Sequence, residues 1–355
     1  METEKRLALI ESIAEEIVTR EELVQMLDSG KKLKAYDGFE PSGLAHLPFG
    51  VYRSITIQKM MDAGIDFTLY LADYFAFVNN KFNGNMELIH ACGEYFIEVW
   101  RATGIPIKKL NVVWASELMD SLKYWDTVLK IARNISTKRN LRAMMIAGRE
   151  ETEELTVAQQ FYPSMQVADI FMLDVDICQL GLDQRRANIL ARELAPKFGR
   201  KKPVAVHHHM LLGLQGAKEE DAIKFKMSKS KPESSIFVHD SQKEIEAKIM
   251  NAYCEAGKTE NNPVLEYCKY IVFEKFPEMK IEREKKFGGD ICFKNYAELE
   301  SAFREKQLHP LDLKKATAQH IEKIIAPIRS HFEKNTKAKE LYERIKMGQK
   351  SSLQQ

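Results

Sequence analysis

The chain is sparing with the residues that build special-purpose proteins. Its 355 residues include only five cysteines, 17 glycines and 11 prolines. Cys92, Cys178, Cys254, Cys268 and Cys292 are an odd, scattered set without CxxC spacing. That pattern excludes a disulfide framework, argues against a zinc site, and points to a reducing, cytoplasmic compartment. So little glycine and proline excludes collagen-like and low-complexity classes. Neither charge sign is in excess: 53 basic against 51 acidic residues leaves +2. A wholesale nucleic-acid-binding signal is therefore missing, although a local basic face stays compatible. No run approaches about 18 uncharged apolar residues, so no membrane span is expected. The opening METEKRLALIESIAEE is acidic and amphipathic, unlike a secretory leader. What the chain does have is 45% hydrophobic residues, enough for a sizeable core. At roughly 150 residues per domain, about two domains are expected.

Hydrophobic patterning predicts the organisation. Residues 3–18 and 21–29 read as helices, the second stopped by Gly30. Strand-like runs follow at 33–39, 67–72, 110–115, 175–178 and 204–207. The run FTLYLA is uninterrupted and has the length of a buried parallel strand. Helical segments lie between them: 46–63, 86–103, 118–150 and 184–197. Strands alternating with helices predict an α/β fold with a doubly wound, Rossmann-like parallel sheet. Beyond Pro232 the pattern becomes helical, at 241–256, 262–273, 296–306 and 312–332. The division is placed between a catalytic domain of residues 1–236 and a mostly α-helical domain of 237–355. From about Asn335 a polar, Lys-rich helix is expected to fray into a disordered tail.

Several motifs carry chemistry. The string Lys226-Met227-Ser228-Lys229-Ser230 would arise by chance in about 1 in 10^4 chains of this size. Lys218, Lys224 and Lys231 crowd beside it, so a solvated basic loop is one explanation. The other is a triphosphate-facing loop, in which ammonium groups offset charge on departing pyrophosphate and serines add hydrogen bonds. A second stretch runs from Tyr36 through Gly38 and Gly43 to His46, Pro48 and Phe49, between a strand and a helix. Gly43 permits close backbone approach, and an imidazole at a helix start suits phosphate. Tyr162, Gln166 and Asp169 recur at i, i+4 and i+7 on one helix face. Outward polar residues would explain that spacing, but the surroundings are apolar, and buried polar groups need partners. Asp183, Gln184, Arg185 and Arg186 follow a strand's carboxyl end, where doubly wound sheets bind ligands. A plain helix start with Asp183 near its cap is the alternative. His207, His208 and His209 alternate across a strand, so they suit no single ion.

Together KMSKS and the Tyr36–Phe49 stretch resemble a class I aminoacyl-tRNA synthetase. The segment GFEPSG at 38–43 resembles the archaeal and eukaryotic tyrosyl branch in particular. The family's HIGH signature departs here, reading His46-Leu47-Pro48-Phe49. The resemblance covers about residues 10 to 330. It implies a tyrosine–tRNA ligase that makes tyrosyl-adenylate from ATP with accompanying Mg2+, holds no metal of its own, and charges tRNA(Tyr) as a homodimer. His46, Lys226 and Lys229 would be catalytic. Tyr162, Gln166 and Gln184 would meet the amino acid's polar end; Asp169 and Tyr36 would meet its phenol, beside Gly38. Gly43, Asp183, Met210, Leu211, Met227, Ser228 and Ser230 would complete the ATP site. Arg185 and Arg186 would face the tRNA acceptor end, and Cys254, Phe287, His309 and Asp312 the anticodon. A tryptophanyl enzyme, which lacks an acid at the position of Asp169, is the nearest rival. A nucleotidylyltransferase and a catalytically silent RNA-binding paralogue complete the alternatives.

Overall fold

The computed structural model describes residues 2–144, 154–216 and 234–353. Six strands form the main sheet: β1 (Glu16–Val18), β2 (Lys34–Phe39), β3 (Asp66–Leu71), β4 (Asn111–Trp114), β5 (Ile177–Gly181) and β6 (Val204–His208). Their order is β1-β6-β5-β2-β3-β4, parallel throughout except for β1, which runs antiparallel to β6. The doubly wound expectation stands. Side chains alternate across the pleat, and both faces are covered. Ala35, Phe67, Leu69, Ile177, Val204 and Val206 pack on one side with Ile57, Phe96 and Trp100. Tyr36, Tyr70, Cys178 and Leu180 pack on the other with Val167, Ala168 and Leu190.

Two of the expected helices are redrawn. The first ends at Glu11, because Glu15 and Glu16 engage the edge of β6 instead of continuing a helix. The amide of Glu15 donates to the His207 carbonyl at 2.7 Å. The Glu16 carboxylate lies 2.9 Å from His207 Nδ1. The segment 118–150 divides into helices Ala115–Met119, Leu122–Arg133 and Thr137–Met144, with the Ser121 side chain capping the second. Its end, 145–153, lies outside the described residues. The polar, Lys-rich stretch after Asn335 is helical as expected, spanning Thr336–Leu353 and burying Ala338 and Ile345.

Beyond residue 237 the helices Gln242–Met250, Pro263–Tyr267, Tyr296–Arg304 and Pro310–Lys334 follow expectation. A short antiparallel pair, β7 (Met279–Ile281) with β8 (Ile291–Phe293), lay hidden in three-residue strands. One apolar core joins this region to the sheet, running from Ile10, Val51 and Trp100 to Ile249, Ile271, Phe303 and Ile325. The backbone also pairs across the boundary: Val238 donates to Ala45 at 3.0 Å, next to the bond from Leu47 to Ile236 at 2.7 Å.

His209, just after β6, is a polar link between the two parts. Its ring stacks on Tyr270 and lies 2.9 Å from Glu15 and 3.2 Å from Glu266. Burial opposes its charge, but the two carboxylates outweigh burial and lift its pKa from 6.5 to about 9. Glu15 is correspondingly held below the usual carboxylate range, first of all by its bond from His209. A raised histidine contributes stability that is complete below about 6.5 and lost as pH climbs through about 9. Denaturant titrations should therefore show wild type losing about 1–2 kcal/mol more than His209→Gln between neutral and alkaline pH, Glu15 being partly exposed. Parallel pH profiles for the two proteins would refute this role.

Candidate active site

A cleft of about 870 Å³ opens at the carboxyl ends of β2, β3, β5 and β6. Its floor follows from strand register. Tyr36 sits opposite Thr68 and Cys178, and Gly38 opposite Tyr70, so these positions share the face that looks into the cleft. A Cβ at Gly38 would stand 3.7 Å from the Tyr70 ring and 3.9 Å from that of Tyr36, filling the space between them. The helix Tyr162–Leu173 lies over this floor and carries Tyr162, Gln166 and Asp169 into the same cleft, as their spacing predicts. Gln166 and Asp169 are buried.

The inner end of the cleft is rich in buried polar groups. Asp169 Oδ1 accepts from the Tyr124 hydroxyl at 2.8 Å. Burial first, and then nearby Asp73, push the Asp169 carboxyl well above its ordinary range, while the Tyr70 and Tyr124 hydroxyls pull against them. Burial likewise drives the Tyr36 phenol upward, reinforced by Cys178 and Asp169. The hydroxyls of Tyr36 and Tyr70 and the amide oxygen of Gln166 are buried without a partner of normal hydrogen-bond geometry among the described residues. Gln166 Nε2 donates to Gln184 Oε1 at 3.2 Å, tying the long helix to the turn after β5. A ligand with a donor–acceptor group would complete their hydrogen bonding.

The outer end is built from loops. Asp183 and Gln184 stand on the turn Leu182–Gln184, and Met210 and Leu211 follow β6; all four line the cleft. Gly181 makes that meeting possible. A Cβ there would fall 2.6 Å from both Asp183 Oδ1 and Met210 Sδ. His46 faces the same space and accepts from the Phe49 amide through Nδ1 at 3.3 Å. Pro48 opens a π-helical turn, Pro48–Tyr52, that runs into the helix Arg53–Asp62. Phe49 turns its ring inward against Phe96, Trp100 and Phe39, at 4.1, 5.0 and 5.5 Å between centroids.

The remaining sequence-predicted residues lie elsewhere. The string Lys226–Ser230 falls outside the described residues. Arg185 and Arg186 are exposed beside the cleft; Arg185 is paired with Glu16 at 2.8 Å, and Arg186 donates to the Arg142 carbonyl at 2.9 Å. Cys254, His309 and Asp312 do not line the cleft. Cys254 Sγ accepts from Asn262 at 3.5 Å. His309 caps the helix Pro310–Lys334 by accepting from the Leu311 amide at 3.2 Å, with Asp312 in its first turn. Phe287 stands on the turn Lys285–Phe287. The three adjacent histidines go to three places: His207 to Asn188 and Glu16, His208 to Gln179 and Arg53, His209 to Glu15 and Glu266. Among the described residues no cluster of three or more His, Cys, Asp or Glu could hold a metal ion.

Sequence reasoning passed over several residues of the site. Tyr70 and Tyr124 carry no sequence signal of their own, and only the strand register and a contact 45 residues away reveal them. Arg53 lies within a segment that the sequence marks only as helical. It is buried, ion-paired to Asp37, and donates to the His208 ring and toward the Gln179 carbonyl at 3.5 Å. Burial lowers its pKa to about 9. Asp37 standing alone in an apolar strand was the available signal.

A nucleotide-sized cleft at the switch point of a parallel sheet, with an amino-acid-sized polar end, defines a class. The family model described as "tRNA synthetases class I (W and Y)" matches residues 28–326, and the chain belongs to that family. The tyrosine–tRNA ligase of Saccharolobus islandicus (strain L.S.2.15 / Lassen #1) is 44% identical over 97% of this chain and 98% of its own length. The cytoplasmic tyrosine–tRNA ligase 1 of Arabidopsis thaliana is 44% identical over 97% of this chain and 89% of its own. The crystal structure of the Pyrococcus horikoshii tyrosyl-tRNA synthetase complexed with L-tyrosine superposes with a TM-score of 0.89 at 38% identity, covering 97% and 100% of the two chains. Within the family the chain is of the archaeal and eukaryotic tyrosyl type.

Burying Asp169 costs the fold stability. Its raised pKa means that the folded state is penalised once pH exceeds the ordinary carboxylate range. Asp169→Asn should therefore raise the melting temperature near neutral pH by about 1–2 °C, the size expected for roughly 1 kcal/mol in a chain of this length. The gain should shrink as the solution is acidified. A lower melting temperature would mean that the Tyr70 and Tyr124 hydroxyls more than offset burial.

Proposed function

We infer that the chain is a tyrosine–tRNA ligase whose residues divide the work as their positions in the cleft suggest. The observation that carries this is the cluster of buried polar groups at the inner end, Tyr36, Tyr70, Gln166 and Asp169. A phenolic hydroxyl both donates and accepts, so it can give a proton to Asp169 while taking one from Tyr36. The amino acid's ammonium end falls to Tyr162, Gln166 and Gln184. Its carboxylate then points to the outer end, where Gly43, His46, Asp183, Met210 and Leu211 receive ATP.

Activation proceeds by attack of a tyrosine carboxylate oxygen on the α-phosphorus. The bond from that phosphorus to the bridging oxygen breaks, and pyrophosphate leaves. In the second step a terminal ribose hydroxyl of tRNA(Tyr) attacks the tyrosyl carbonyl, and AMP leaves. No protein nucleophile is needed; positioning and charge stabilisation suffice. His46, Lys226 and Lys229 would supply the positive field, with Met227, Ser228 and Ser230 completing the ATP site. The ATP would be the Mg2+ complex, whose ion would offset phosphate charge. Arg185 and Arg186 border the cleft mouth, where the acceptor end would arrive. Cys254, Phe287, His309 and Asp312 are proposed for anticodon contact, within a domain of residues 237–355 set against a catalytic domain of 1–236.

A second copy of the chain is the proposed partner for one apolar surface. Leu122, Trp125 and Leu129 follow one face of the helix Leu122–Arg133, with Leu122 87% exposed. Tyr74 and Phe77 add to the exposed apolar side chains. Patches of this kind mark interfaces, and an isologous dimer would cover them. Among the described residues no helix is long and apolar enough to cross a membrane. The proposed location is the cytoplasm.

Tyrosine-dependent ATP–pyrophosphate exchange tests substrate and activity together. Tyr36→Phe should narrow the preference for tyrosine over phenylalanine by at least about tenfold, the cost of one lost buried hydrogen bond. His46→Ala should slow activation by about 10^2-fold. Lys229→Ala should lower kcat more than it weakens tyrosine binding. An inert wild-type chain, or an unmoved Tyr/Phe ratio, would overturn the assignment.

A further inference from the structure

The ATP-facing turn is held by an element far away in the chain. Three consecutive amides, those of Gly43, Leu44 and Ala45, point away from solvent and donate to three different side chains. Gly43 donates to Cys92 Sγ at 3.4 Å, and Ala45 to the Tyr95 hydroxyl at 3.1 Å. Both acceptors stand on the helix Met86–Ala102. The middle amide, Leu44, donates to Gln349 Oε1 at 3.0 Å. Gln349 is near the end of the C-terminal helix Thr336–Leu353, and it lines the cleft.

The contact is built into the packing. Gly43 has φ +130, and a Cβ there would meet Gln349 Oε1 at 3.0 Å and Cδ at 3.1 Å. The C-terminal helix lies along Met86–Ala102, and at Gly348 it comes so close that a Cβ would touch Leu88 at 3.0 Å and Phe82 at 3.4 Å. Lys337 pairs with Glu94 at 3.7 Å, and Arg344 with Glu87 at 3.3 Å. Tyr342 stacks on His239 at 4.0 Å, and His239 Nε2 lies 2.8 Å from the Tyr95 hydroxyl that takes the Ala45 amide. Burial, then Lys346 and Arg329, depress the His239 pKa to about 3, so its ring stays neutral. The C-terminal helix thus reaches the turn twice, directly through Gln349 and indirectly through Tyr342, His239 and Tyr95.

We propose that Gln349 is a positioning residue for ATP, holding the Gly43–Ala45 turn in its binding conformation from the C-terminal helix. The proposal rests on the reading that this turn receives ATP. A glutamine oxygen on a backbone amide fixes a peptide plane and leaves the neighbouring backbone and His46 aligned toward the cleft. Without it the Leu44 amide would seek water, and the turn would have to be ordered by ATP itself, which weakens ATP and spares tyrosine.

The test uses the full chain. Gln349→Met keeps the side-chain volume and loses the acceptor, whereas Gln349→Glu keeps an acceptor oxygen. In tyrosine-dependent exchange, Gln349→Met should raise KM for ATP about tenfold, with kcat, KM for tyrosine and the melting temperature nearly unmoved. Hydrogen exchange at the Leu44 amide, read without any nucleotide, should accelerate at least about tenfold in Gln349→Met and stay protected in Gln349→Glu. An active wild type with KM for ATP unchanged in Gln349→Met would overturn this inference alone. So would a lower KM, which would mean that Gln349 occupies a donor ATP needs. A joint shift of both KM values and the melting temperature would reduce the contact to packing. An inert wild type would overturn the ATP reading and this inference together.

Discussion

Strand β2 is the constraint on which the rest depends. It lies between β3 and β5, parallel to both, with Ala35 opposite Phe67 on one side and Ile177 on the other. Because successive side chains point to opposite faces, its six residues serve two cores at once. Ala35 and Phe39 join the large core that continues into the C-terminal helices, while Tyr36 joins the core beneath the helix Tyr162–Leu173. A slip of one residue would exchange these faces and put the phenol of Tyr36 among aliphatic side chains. The strand order changes direction at β2, so the loops leaving its carboxyl end and that of β5 diverge and leave a crevice. Every cleft residue is positioned by that geometry, including the turn at 40–46 and the turn at 182–184.

The site strains the fold that makes it. Asp169, Tyr36, Tyr70 and Gln166 occupy positions where leucine or phenylalanine would pack without desolvation cost. On the opposite face Arg53, Asp37, Gln179 and His208 form a second buried polar group beneath the outer end. An ion pair of this kind is weak evidence for stability, since removing both charges is often neutral. It does fix the first turn of the helix Arg53–Asp62 against β2, and so orients the backbone that carries His46. The large aliphatic core stabilises both groups indirectly by locking the elements they stand on.

What the sequence discloses follows from the range of each interaction. The parallel strands are legible because burial on both faces leaves unbroken apolar runs, as in residues 67–72. Tyr162, Gln166 and Asp169 are legible because one helix sets their spacing. The edge strand β1 is not: its residues read as amphipathic helix until Glu15 and Glu16 meet histidines nearly two hundred positions away. Tyr70 and Tyr124 look like core because a tyrosine's burial carries no mark of where its hydroxyl points. Gln349 sits in a polar, Lys-rich tail whose composition suggests fraying. Only the close approach at Gly348 and the amide of Leu44, 305 positions away, give it a role.

The same physics explains how the family's HIGH segment can read His46-Leu47-Pro48-Phe49. Proline has no amide to donate, and its fixed φ suits the first residue of the turn Pro48–Tyr52. Phe49 contributes no side-chain hydrogen bond, yet its ring is wedged among Phe39, Phe96 and Trp100, and the Trp100 indole donates to its carbonyl at 3.4 Å. Its own amide donates to His46 Nδ1, which leaves the far side of the imidazole directed away from the backbone. Apolar packing thus holds the turn Pro48–Tyr52, while Cys92, Gln349 and Tyr95 hold the amides of Gly43, Leu44 and Ala45 just before His46. A polar side chain at position 49 is therefore not required to keep His46 in place. The segment departs from the signature at Pro48 and Phe49, where apolar packing holds the backbone, and retains His46, which faces the cleft.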